Sequence, residues 1–264
     1  MNKAIVLIPH YNNPKGLERS LASIDPSDCV DVLIVDDGSK QLFDEQILKS
    51  SFKAKGTIHY IYLETNKGIE YALNTGMEYI SQKPFYKYIA RLDSDDQCVG
   101  RRFTIQQEYL ESNPDVKLVG SNAFAVDTEG TFLYNMVRPE GSEEIKNKMY
   151  LNSMFIHPSV MFCSDVIANI RYYPTNYKAA EDYAFFFKIV KKYKTANLQQ
   201  SLIKYEVNPG GISLTQRKQQ VSSRLRVMKD NFYFGFYPIY GLARSVVLYI
   251  MPYSVIKYVK TNLK

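Results

Sequence analysis

YKYIARLDSDD, residues 86–96, runs apolar and β-prone as far as Leu92 and then sets Asp93, Asp95 and Asp96 within four positions. A short apolar run rich in aromatic and branched residues, closed by polar turn formers, reads as a buried strand. Three like charges at its carboxyl end repel one another, so the arrangement calls for a cation among them. Asp93 and Asp95, two apart, can both face the edge of a crevice, while Asp96 points elsewhere or caps the helix that follows. Hard carboxylate oxygens offered in ones and twos suit Mg2+ or Mn2+ shared with substrate phosphates. A solvated turn capped by Asp96 is the bland alternative, and it leaves the repulsion unexplained.

Upstream, the same unit repeats. KAIVLIP, DVLIVDD and TIHYIYL are apolar strands followed by helix-length segments at Gly16 to Ile24, Phe43 to Ser50 and Gly68 to Ile80, and the aspartate strand is followed by Arg101 to Ser112. Short buried strands alternating with helices give a βαβ series and an α/β, Rossmann-like, mostly parallel sheet flanked by helices. In such sheets ligands bind beyond the carboxyl ends of the strands. There lie IPHYNN (8–13), VDDGS (35–39), ETNKG (64–68) and LDSDD (92–96). Asp36 and Asp37 can accept hydrogen bonds from a base or ribose, and Lys67 can meet phosphate, although each motif alone is an ordinary strand exit.

After Pro114 the pattern loosens. VKLVGSNAFAV and TFLYNMV flank the turn signature DTEG as a hairpin, and MFIHPSVMF carries Pro158 inside a strand-like run, which reads as an edge or irregular strand. AAEDYAFFFKIVKKY reads as a helix with Glu181 and Asp182 in its first turn and lysines in its last, as the helix dipole favours. His10 and His157 are isolated histidines in structured segments and read as satisfied packing groups.

At 264 residues and 45% apolar content the chain can bury one substantial core with an appendage, divided here as 1–208 and 209–264. The first strand meets Pro9 at once, so the start reads as structure and not as a signal peptide, with the mature chain beginning at Met1. Three scattered cysteines without CxxC spacing fit a reducing compartment and exclude a zinc knuckle or disulfide framework. The net charge of +6 is lopsided: from Lys188 onward fourteen Lys and Arg face two acids, leaving the rest of the chain acidic. SVVLYIMPYSVI (245–256) is apolar, aromatic and flanked by Arg244 and Lys257, yet too short and Pro-interrupted to span a bilayer. It reads as lying on an anionic membrane or packing on the body. No nucleic acid is expected, because nothing specifies stacking platforms on a sheet.

Together these motifs resemble the inverting family 2 glycosyltransferases of the GT-A fold, of the bacterial cell-surface polysaccharide type. The resemblance covers nearly all of residues 3 to 215: IPHYNN is similar to that family's opening strand, VDDGS to its base-binding turn, NKGIEYALNTGMEYI to its third motif, ARLDSDD to its DxD metal site and RRFTIQQEYLESNPDVKLVGS to the segment behind it. HPSVMF resembles a strand near the acceptor side, and AEDYAFFFKI the ED motif that supplies the catalytic base. The resemblance implies that Pro9, Tyr11 and Asn12 line a nucleotide pocket, that Asp36 or Asp37 binds uracil or ribose, and that Asn66 and Lys67 help hold the nucleotide. It implies that Asp93 and Asp95 hold Mn2+ or Mg2+ on the diphosphate, that Asp182 is the base, and that Glu181 holds acceptor or donor sugar.

The implied activity is transfer of a hexosyl or N-acetylhexosaminyl unit from a nucleotide sugar, a UDP-sugar, to a lipid-linked or polysaccharide acceptor at the cytoplasmic face of the cell membrane. Many relatives carry a histidine or arginine in the loop after the last strand. KYEVNPGGIS (204–213) offers Asn208 and Ser213, leaving Ser213 or Arg217 to cover the diphosphate. Two other readings stand beside this one. A sugar-1-phosphate nucleotidyltransferase would want a Gly- and Lys/Arg-rich loop after the first strand, of which IPHYNNPKG is a poor version. A non-enzymatic membrane-surface or nucleic-acid-binding module would explain the basic tail but not four polar motifs along one sheet edge.

Overall fold

A computed structural model describes residues 2–208 and 216–251. Within them nine strands form one sheet. Its first half is parallel, in the order β3 (Ile58–Tyr62), β2 (Val30–Asp36), β1 (Ala4–His10), β4 (Tyr88–Arg91). All seven residues of β1 are buried, as expected of a strand covered on both faces. The faces divide by alternation. Ile5 and Leu7 pack with Leu73 and Met77 of α3 (Ile69–Ser81), whereas Val6 and Ile8 pack with Leu17 and Leu21 of α1 (Pro14–Ala22).

Beyond β4 the sheet becomes mixed. β8 (Met161–Cys163) runs antiparallel to β4 and to β6 (Val116–Val126), while β9 (Lys194–Glu206) lies parallel to β6 and carries the short β5 (Gln97–Cys98) on its far side. The expected hairpin is present: β6 pairs antiparallel with β7 (Phe132–Met136), and the Asp127 side chain accepts from the backbone N–H groups of Glu129 and Thr131 in the turn. The expectation for MFIHPSVMF needs correction. Pro158 falls in a single 3-10 turn, His157–Ser159, that ends before the strand begins, so Met161–Cys163 is free to donate on both sides and sits in the interior of the sheet.

The segments behind the strands also differ in detail from the sequence reading. α1 begins earlier, with Pro14 in its first turn and the Asn13 side chain accepting from Gly16 N–H. Asp96 does not cap the helix after the aspartates, α4 (Arg102–Ser112), whose N-cap is Arg101 with no side-chain bond. The carboxylate is instead buried and accepts from the backbone N–H of Glu206 on β9.

α2 (Glu45–Ser51), α5 (Ser142–Lys148) and α6 (Val166–Ile170) fill the flanks, and α7 (Glu181–Lys192) inserts Phe185, Phe186 and Phe187 into the larger core. Of the appendage, α8 (Arg217–Asp230) packs on α7 through Val227 and Met228, both nearly inaccessible, and α9 (Phe236–Ile250) packs on α8. The remainder of SVVLYIMPYSVI beyond Met251 lies outside the described residues, as does Ser213.

Gly38 closes the β2 exit with a φ of 67°, and a β-carbon there would stand 2.5 Å from the Thr65 carbonyl carbon. Gly38→Ala therefore meets both a left-handed backbone and an immovable neighbour, and is expected to lower unfolding free energy by about 1–3 kcal/mol in urea titration.

Candidate active site

The parallel register places β1 and β2 with His10 opposite Asp36 at their carboxyl ends. His10 Nε2 accepts from Asn13 N–H at 3.1 Å, so the ring proton sits on Nδ1 and is donated to Asp36 Oδ2 at 2.7 Å. Asp36 Oδ1 accepts from Ser39 N–H, and the Ser39 hydroxyl accepts from Asn12 N–H. Asn12, in a left-handed conformation, accepts in turn from the N–H groups of Lys40 and Gln41. Asp37 receives the backbone N–H groups of Lys67 and Gly68 at 2.9 and 2.8 Å. Three strand-end loops are thus stitched together by short polar side chains. Asp36 and Asp37 are buried in this work, Pro9 is buried in β1, and Tyr11, Asn66 and Lys67 are exposed above them.

The aspartate loop is held from beneath. The Ser20 hydroxyl on α1 lies 2.6 Å from the Asp96 carbonyl oxygen and 3.1 Å from that of Asp93. Arg91, fully buried, donates from one guanidinium nitrogen to the Leu7 and Leu92 carbonyls and from another to Asp93 Oδ1 at 2.5 Å. Its Nε donates to His157 Nε2, which also faces the Tyr173 hydroxyl at 3.0 Å. Burial and the neighbouring guanidinium keep His157 well below the usual histidine range, so it stays neutral. Arg102 donates to the Arg91 carbonyl, adding a second buried cation below the loop.

Above these cations the carboxylates crowd. Burial, then Asp93 and Glu206, push Asp95 up to about 7. Burial, then Asp95 and Asp93, hold Asp96 well above the ordinary range. Across the crevice, burial followed by Asp182, Glu70 and Asp93 raises Glu181 to about 8. Asp182 is likewise raised by burial, with Arg224 acting against the shift. Asp93 acts on all four of these acids, so the fold brings the two acidic motifs, some ninety residues apart in sequence, to one place. Tyr205 of β9 feels Asp96, Asp93, Asp95 and Asp182 as well.

Several of these partners had no signal of their own in the sequence. Arg224 comes from α8, places its guanidinium 5.1 Å from the Tyr183 ring centroid and donates to Asn152 Oδ1. Arg91 is read as a strand residue until its burial is known. Arg217 sits at the first position of α8 and donates to the Leu248 carbonyl.

As a divalent-ion site the donor set is hard oxygen only. Among the described residues no group of three or more His, Cys, Asp or Glu is placed to hold a metal ion; an ion held by one or two carboxylates would take its other ligands from phosphate oxygens and water. Asp95, crowded by like charge, and the second oxygen of Asp93 are the groups that fit such an ion.

Residues 5–173 match the family model for glycosyl transferase family 2. The chain belongs to this family. It is similar along most of its length to an uncharacterized glycosyltransferase of Methanocaldococcus jannaschii, 27% identical over 96% of this chain and 90% of that protein. It is also 27% identical to the amylovoran biosynthesis glycosyltransferase AmsE of Erwinia amylovora, over 96% of each chain. Among solved structures, the GT-A fold is shared with S. aureus TarS. Residues 1–349 of that protein in complex with UDP-GlcNAc superpose with a TM-score of 0.70 at 18% identity, over 93% of this chain and 72% of that one. Against the longer TarS chain the overlap is 43% of its length. The mannosyltransferase PcManGT of Pyrobaculum calidifontis, in complex with GDP-Man and Mn2+, gives 0.63 at 14% identity over 92% of this chain and 68% of that one.

The raised Glu181 has a consequence for stability. A carboxyl whose folded value lies above its unfolded one favours the fold while protonated, so stability falls as pH rises from the ordinary value of 4.5 to about 8. The melting temperature is expected to decline across that window, and Glu181→Gln, which cannot ionise, is expected to flatten part of the decline.

Proposed function

We propose that this family 2 glycosyltransferase moves a sugar, a hexosyl or N-acetylhexosaminyl unit, from a UDP-sugar to a lipid-linked or polysaccharide acceptor with inversion, in cell-surface polysaccharide biosynthesis. The observation that carries the reading is the convergence of the Asp93–Asp95 pair with Glu181 and Asp182 in one crevice at the carboxyl ends of the parallel strands. The names of AmsE and of the O-antigen biosynthesis glycosyltransferase WbnJ of Escherichia coli support the pathway class, and the UDP-GlcNAc complex of TarS supports the donor class.

The nucleotide occupies the stitched loops. Pro9, Tyr11 and Asn12 line its pocket, and Asn66 and Lys67 lie at the rim. Asp36 and Asp37 fix the loops with one set of lone pairs and keep others for uracil or ribose. Asp95 and Asp93 would hold Mn2+ or Mg2+, which would supply positive charge to offset that of a nucleoside diphosphate leaving group. Asp182 accepts the proton of the acceptor hydroxyl as that oxygen attacks the anomeric carbon from the face opposite the leaving group, so one displacement inverts configuration. Burial raises this carboxyl against the opposing Tyr183 N–H and Arg224, so it takes up a proton more readily than an exposed aspartate does. Glu181 positions sugar hydroxyls beside it.

Residues 1–208 form the catalytic domain, and 209–264 an extension that holds the enzyme against the cytoplasmic face of the membrane. The proposed contact is peripheral; among the described residues no helix is long and apolar enough to cross a bilayer.

UDP with Mn2+ is expected to raise the melting temperature of the wild type, because a ligand bound only by the folded state stabilises it. Asp95→Ala is expected to lose that shift. Asp182→Asn is expected to keep it while turnover of the UDP-sugar drops by roughly 10²–10⁴. Undiminished turnover in Asp182→Asn would remove the residue from the base role.

A further inference from the structure

On the side of α8 away from the crevice lies a cleft of about 510 Å³ that the transfer reaction does not use. Its wall gathers Lys178, from the loop before α7, with Lys218, Ser222 and Arg226, spaced by four along α8 and so on one helix face, together with Gln219 and with Tyr249 of α9. Arg224, at 3.6 residues per turn, leaves α8 on roughly the opposite side, toward Tyr183. Among the described residues no acid lines the cleft, and neither Lys178, Lys218 nor Arg226 forms an ion pair. Arg226 is oriented by the Asn176 carbonyl and the Tyr177 ring. Solvated surface lysines usually spread apart, whereas here three cations from two elements share one concavity with hydroxyl and amide donors. That is the chemistry of a phosphate site.

The helix beside the cleft indicates which phosphate. α9 buries small residues, Gly241 and Ser245, against the body, where a β-carbon at 241 would stand 2.2 Å from the Tyr150 carbonyl oxygen. It turns bulky apolar residues outward: Phe236 is 73% exposed and Ile250 75%, with Ile239, Tyr240 and Val247 about half exposed. A free phosphate has no use for that surface. A second copy of the chain would bring the same cations face to face in a two-fold contact. A phosphate carried on hydrocarbon uses both features at once.

We propose that this cleft is a binding site for the phosphate headgroup of an anionic membrane lipid, with the outward face of α9 entering the acyl boundary beside it. The inference rests on the membrane-surface reading of the extension and is independent of the sugar donor.

The test is sedimentation of the full-length protein with phosphatidylcholine vesicles, with and without phosphatidylglycerol. The wild type is expected to sediment with the anionic vesicles. Lys178→Ala/Lys218→Ala is expected to weaken partitioning roughly thirty-fold, from the surface attraction of two lysines, and Ser222→Asp, which puts a carboxylate in the wall, to weaken it as well. Lys53→Ala/Lys55→Ala, exposed positions before β3 with the same loss of charge, is expected to change it little.

Equal losses in the two double variants, or none in either, overturn the cleft while leaving membrane binding standing. Failure of the wild type to bind anionic vesicles overturns both readings. Glycerol 3-phosphate separates the two sources of phosphate. If it raises the melting temperature of the wild type but not of the Lys178/Lys218 variant while vesicles bind neither, the cleft takes a soluble phosphate and the lipid assignment falls.

Discussion

Repulsion among Asp93, Asp95, Asp96, Glu181 and Asp182 is the constraint around which the crevice is organised. Five acids brought together with little water would each take up a proton or push the loops apart. The fold answers with cations placed behind the acids instead of among them. Arg91 is wholly buried, spends its donors on two carbonyls, a neutral histidine and Asp93, and thereby fixes one aspartate of the pair. Arg102 lies below Asp96 and Arg224 beside Asp182. Removing the partner of a buried charge costs about 3–5 kcal/mol, so the acidic crevice and its hidden arginines stand or fall together. Arg19 acts in the same sense on Asp95, against the burial and the charges of Asp93 and Glu206 that push it up, and the proposed dication would add to that compensation.

The same arrangement ties the extension to the catalytic layer. α8 delivers Val227 and Met228 to the core shared with α7, and Arg224 to the neighbourhood of Asp182. The Tyr177 hydroxyl donates to Asp230, linking the loop before α7 to the end of α8. One helix thus has a face toward the acids and another toward the basic cleft, so the proposed surface attachment and the environment of the proposed base share a single element.

Much of this was open to reading along the chain, for definite reasons. Strands such as AIVLIPH are buried on both faces, so their apolar runs are unbroken and the βαβ alternation is plain. Polar clusters at strand ends stand out because a parallel sheet has only one rim where ligands bind. MFIHPSVMF misled because a proline ahead of a strand and one within it look alike until hydrogen bonds are known. Asp96 stood between two readings because an acid before a helix is so often its cap, and only the backbone donor that β9 supplies from far along the chain decides that it points elsewhere.

Local pattern by itself determined the strand and helix units, the rim of polar motifs, the acids of both clusters and the charge imbalance of the tail, since each depends on neighbours within a few positions. Tertiary structure alone decided that Arg91 pairs with Asp93 while Arg224, over the Tyr183 ring, acts on Asp182, that Asp36 and Asp37 bind loops together, and that cations at 178, 218 and 226 meet in one cleft. The physical reason is range: propensity and periodicity act over one or two turns, but the energy of a charge depends on burial and on whatever distant residue the fold brings beside it.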